Sequence, residues 1–139
     1  MKKYLNTALV YAAAAMAGGV FYREFTKWND FTGVTALGKV HVHFFFLGMM
    51  MFLVVSLFSL QLDLQKQKLF RMFFFCYNIG VPLTGILLVV RGVVQVLGIP
   101  LSKGASASIS GIAGMGHILT GIGLVLLLLS LKKASEEKA

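Results

Sequence analysis

Residues 34–60 read VTALGKVHVHFFFLGMMMFLVVSLFSL, and this stretch decides the fold. A bilayer core about 30 Å thick is crossed by roughly 20 apolar residues in an α-helix. The stretch is therefore long enough to span, broken only by Lys39 and by His41 and His43. Working outward, the run from Leu5 to Tyr22 is alanine-rich with Gly18 and Gly19 near its end, and the run from about Phe70 to Leu97 contains Pro82 and Arg91. A further run from Ala107 to Leu131 ends on Lys132 and Lys133. Proline inside such a run kinks a membrane helix without ending it. The expectation is an all-α integral membrane protein, a single up-down four-helix bundle over 1–139, with helices at about 5–22, 36–60, 70–97 and 107–131.

Composition agrees with that pattern. Of the 139 residues 58% are apolar and 13% charged, with mean hydropathy +0.83, so four spans use most of the chain and no separate catalytic domain fits beside them. The net charge of +8 comes from basic residues at the ends of apolar runs, not along one solvated face. It reads as a topology signal and as attraction to anionic lipid headgroups, with no nucleic-acid partner expected. Lys2, Lys3, Lys66, Lys68, Arg71, Lys132, Lys133 and Lys138 collect on one side; Arg23, Lys27, Lys39 and Lys103 collect on the other. The positive-inside rule places both termini in the cytoplasm, the chain multi-pass in a bacterial-type inner membrane. Lys2 and Lys3 ahead of a short run with Ala13 and Ala15 also fit a secretory leader, but the run stays apolar through Phe21 and is kept as a helix. The connection from Arg23 to about Thr35 mixes Phe25, Trp28 and Phe31 with Asn29 and Asp30, as an interfacial aromatic belt or a lid would. Cys76, alone in the chain, reads as packing.

All three histidines, His41, His43 and His117, fall inside the expected spans. A charge at the centre of a membrane helix costs about 2.5–3.5 kcal/mol on insertion scales, so ionisable residues there face the bundle interior. Histidine escapes part of that cost by staying neutral, which is also its metal-binding form. With 1.5 Å of rise per residue, His41 and His43 lie about 10 Å, and His117 roughly 15 Å, below the outer boundary. Residues two apart on a helix point about 200° apart, so His41 and His43 must face different neighbours. Gly38, His41, Phe45 and Gly48 share one helical stripe, and Ser110, Gly114, His117 and Gly121 another. Small residues beside a histidine let a flat macrocycle approach while iron takes the imidazole; they equally let helices pack closely.

Arg91 lies near the outer end of the third run and needs a partner: Glu24, Asp30, a haem propionate or the lipid headgroups. Met49, Met50 and Met51 are consecutive and point in three directions, which suits an irregular core better than a copper(I) site.

Tyr22-Arg23-Glu24-Phe25, Gly38-Lys39-Val40-His41-Val42-His43-Phe44-Phe45-Phe46-Leu47-Gly48 and Gly111-Ile112-Ala113-Gly114-Met115-Gly116-His117 are similar to a family of small bacterial four-helix membrane proteins of unknown function. The resemblance covers nearly the whole chain and implies no activity. His41-Val42-His43 also resembles the His-x-His of the haem-copper oxidase catalytic subunit, whose two imidazoles serve two haems within repeated four-helix units. The oxidase needs further histidines for copper, and here only His117 is left.

The expectation is a b-type haem protein, homo-oligomeric, with an electron-transfer or related redox role and a redox partner protein. His117 is the first ligand, His41 or His43 the second; Arg91 pairs a propionate and Gly48, Gly114 and Gly121 make room. Copper or another transition metal is the alternative occupant of His41, His43 and His117. The rival functions are a histidine-dependent proton or divalent-metal transporter or channel, and a noncatalytic membrane scaffold.

Overall fold

The four apolar runs form four helices; those of the first, third and fourth runs extend beyond the expected 5–22, 70–97 and 107–131, whereas the second is slightly shorter than the expected 36–60. A computed structural model describes residues 1–138. It contains α1 (Lys2–Trp28), α2 (Leu37–Phe58), α3 (Lys68–Leu97) and α4 (Lys103–Glu136), all long and apolar enough to cross a membrane. The all-α, four-helix architecture expected from the sequence is present. Local chemistry sets the ends. α4 starts at Lys103, earlier than hydropathy marks, because Ser102 Oγ accepts the Ala105 N–H at 3.1 Å and caps it. α3 runs through Pro82 and stops where Gly98 turns left-handed (φ 62°); the Gly98 and Ile99 N–H groups then bond back to Gln95 and Val94 carbonyls.

α2 departs from a regular helix. Phe44–Met50 is wound as a π-helix, immediately after His43. Its wider turns rotate everything beyond it relative to a regular α-helix.

The chain runs up and down, so both termini and the Leu64–Lys66 turn lie at one end. We call this the terminal half, and the other the distal half. α1 packs along α2 and α3 along α4, and α2 also meets α3. Glycines set these approaches. A Cβ on Gly80 would fall 2.6 Å from the Thr120 backbone N, and one on Gly116 would fall 2.5 Å from Thr84 Oγ1, so α3 and α4 touch nearly backbone to backbone. Gly18 admits Val40 between α1 and α2, and Gly92 admits Leu37 between α3 and α2.

The terminal half is filled by aromatic rings around Phe52, which is fully buried. Phe52 stacks on Tyr11 (centroids 5.7 Å apart) and meets Phe73, Phe74 and Tyr77. α1 is an integral member of this core: Tyr4, Ala8, Tyr11 and Ala15 are buried, and Tyr11 Oη donates to Asn78 Oδ1 at 3.1 Å. In the distal half, hydrogen bonds tie α2 to α3. Thr35 Oγ1 donates to the Gly92 carbonyl (3.0 Å) while accepting the Leu37 N–H (3.3 Å), and Gln95 Oε1 accepts the Ala36 N–H (2.8 Å). Two of the orphan donors at the start of α2 are thereby satisfied.

Candidate functional site

His43 on α2 and His117 on α4 face each other. Their ring centroids are 6.2 Å apart with the planes at 89°. Each ring is held by its own helix: His43 Nδ1 lies 3.0 Å from the Lys39 carbonyl and His117 Nδ1 lies 2.8 Å from the Ala113 carbonyl. A carbonyl oxygen only accepts, so both Nδ1 atoms carry the hydrogen and donate it. With Nδ1 engaged in this way, Nε2 is the nitrogen of each ring left to meet a ligand. This second hydrogen bond is the support that metal-ligating histidines characteristically have.

His41 is turned away from this pair, as its two-residue spacing from His43 demands. It lies against α1, where a Cβ on Gly19 would be 3.6 Å from the His41 Cβ, and its Nδ1 is buried with no hydrogen-bond partner among the described residues.

The glycines expected beside the histidines divide. Gly114 and Gly121, one turn above and below His117, have nothing within 4 Å of a would-be Cβ, and His117 itself is exposed. The space flanking that ring is open. Gly48 lies elsewhere: it faces α1, and the Tyr11 ring fills the place its Cβ would take. It contributes to helix packing and leaves no gap for a ligand.

Arg91 pairs with neither Glu24 nor Asp30. It donates to α4, from Nη1 to Ser106 Oγ (3.1 Å) and from Nη2 to the Ser106 carbonyl (3.0 Å) and Ser110 Oγ (2.7 Å). These acceptors are neutral, and no ion pair to Arg91 occurs among the described residues. Ser110 is seven residues before His117 on α4, so the guanidinium stands about 10 Å distal to the histidines. Lys39, one turn before His43, lies on the same side of the pair.

Among the described residues no three or more His, Cys, Asp or Glu gather as a metal-binding group. The chain therefore supplies two imidazoles at one point, with a cation above them and open space beside them. Sequence reasoning missed Ser106. Its spacing of four from Ser110, at the depth of Arg91, was the available signal.

Residues 1–134 match a family described as "Protein of unknown function (DUF2871)", and the chain belongs to that family. No curated protein and no solved structure matches it.

Proposed function

We propose that this member of the family is a membrane b-type haem protein with a role in electron transfer, in which His43 and His117 are the residues that would hold the haem iron. The observation that supports this is the facing pair of rings with Nδ1 donated backward and Nε2 free. An imidazole nitrogen sits about 2 Å from a first-row metal, and two such bonds plus half of each ring add up to about 6 Å between centroids. The separation of 6.2 Å fits one metal shared by both rings. A bare copper or other transition-metal ion would have only these two protein nitrogens, whereas a haem iron brings its macrocycle's nitrogens with it.

The surroundings are consistent with a flat, doubly anionic group. The open flanks at Gly114 and Gly121 give the macrocycle room beside His117. Arg91, which donates to serine oxygens and has no ion pair among the described residues, keeps its charge on the side where propionates would reach, with Lys39 on the same side. When bound, the haem supplies the one-electron chemistry; the protein orients it, holds the ligand tautomers and sets the polarity around it. Because His117 is exposed, a second copy of the chain would cover the outer edge of the group, making the working form a homo-oligomer.

The test is an optical spectrum of the detergent-purified protein before and after dithionite. The expected result is a Soret band that shifts on reduction, is absent from His43→Ala and His117→Ala, and survives in His41→Ala. A protein that stays colourless when haem is supplied during expression overturns the reading.

A second reading rests on His41, whose buried Nδ1 has no hydrogen-bond partner among the described residues. Unpaired ionisable groups at membrane depth mark proton or cation pathways. Flux across vesicles that is lost in His41→Ala, from a colourless preparation, would put transport first.

A further inference from the structure

We propose that the terminal half carries a binding site for one anionic phospholipid, between α1 and α3. It is separate from the histidine pair and independent of what those histidines bind. α1 and α3 do not pack backbone to backbone; they touch through Tyr4 on Phe70 and Phe74, and through the Tyr11–Asn78 hydrogen bond. The space left between them is a groove of about 750 Å³. Val10 and Ala14 of α1, Phe44 of α2 and Pro82 of α3 line it and make it mainly apolar, with Asn6, Thr7 and Asn78 as its uncharged polar members. Lys3 stands at its mouth, where a second hollow of about 250 Å³ places Arg71 and Gln65 beside the same lysine.

Charge and depth together select the occupant. Lys3 and Arg71 are both exposed, and neither has an ion pair among the described residues. Two of the three acids of this end are engaged elsewhere: Asp63 binds Lys66, and Glu137 binds Lys133 and accepts from Gln67, while Glu136 is exposed at the end of α4 and does not line either hollow. Lys3 Nζ lies 4.0 Å from the centre of the Phe74 ring, which holds the cation over the groove mouth. A basic hollow between membrane helices at the headgroup level is the setting in which anionic headgroups bind. From Lys3 to Ala14 the groove rises about 16 Å, which is close to half of a hydrocarbon core of about 30 Å. One leaflet's acyl chain matches that height, with its phosphate between Lys3 and Arg71. A free phosphate would use the cations and leave the apolar groove unfilled.

The experiment is native mass spectrometry of the full chain in mild detergent, titrated with dioleoyl phosphatidylglycerol or with dioleoyl phosphatidylcholine. The expected result is one phosphatidylglycerol retained, bound at least tenfold more tightly than phosphatidylcholine. Lys3→Gln with Arg71→Gln should weaken it about thirtyfold, since each cation near an anionic headgroup is worth about fivefold. Lys132→Gln with Lys133→Gln removes the same charge at the same end and should leave binding within twofold. Ala14→Phe, which blocks the groove and keeps both cations, should also weaken it. Equal retention of the two lipids, equal loss in both charge variants, or full competition by millimolar inorganic phosphate overturns the proposal.

Discussion

In the terminal half Phe52, Phe73 and Tyr77 are sealed from outside and fill the space between three helices with rings. In the distal half the helices meet through Gly92, Thr35 and Gln95, and an exposed imidazole stands beside open space at Gly114 and Gly121. Between membrane helices there is no hydrophobic gain from burial, because lipid tails are as apolar as the side chains, so stability comes from dispersion contacts and hydrogen bonds. The half with the larger interlocking side chains holds the fold. The distal half leaves an imidazole pair open beside small residues, whereas the terminal half leaves open the groove between α1 and α3.

That contrast can be broken by substitution, and the largest effect belongs to the terminal half. Phe52→Ala empties the centre of the aromatic cluster and should cost about 4 kcal/mol, read from reversible unfolding in mixed micelles. Gly80→Val comes next. It drives a side chain into Thr120 and the α4 backbone and should cost about 2 kcal/mol, with α3 and α4 measurably further apart by spin-label distances. Thr35→Val removes the bond to the Gly92 carbonyl and should cost about 1 kcal/mol, loosening amide protection at the start of α2. His117→Ala should change the unfolding free energy of the haem-free protein by less than about 0.5 kcal/mol, because the ring is exposed and bonds only its own helix. If His117→Ala instead destabilised that form as much as Gly80→Val does, the histidine pair would be a structural contact and the division between the halves would fail.

Much of this architecture was legible along the chain. Each apolar run became a helix because length and composition alone decide whether a segment can satisfy its backbone within a bilayer. Ends were less legible. Ser102 and Gly98 determine where α4 starts and α3 stops, and capping acts over a few residues that hydropathy averages away. The π-helical stretch Phe44–Met50 had no signal, since its residues are uniformly apolar and would suit a regular helix equally well.

The sequence by itself determined the number of long apolar helices, the position of each histidine along its helix and the divergence of His41 from His43. Those follow from a fixed rise and a fixed rotation per residue. Only the tertiary structure decided that His43, not His41, meets His117, and that Gly48 packs on Tyr11 while Gly114 and Gly121 stay open. It also decided that Arg91 is held by Ser106 and Ser110 and not by a carboxylate. The physical reason is that a helix's rotation about its own axis is not encoded locally. It is set by which small residues let a neighbour approach, here Gly18 and Gly48 toward α1 and Gly80 and Gly116 between α3 and α4.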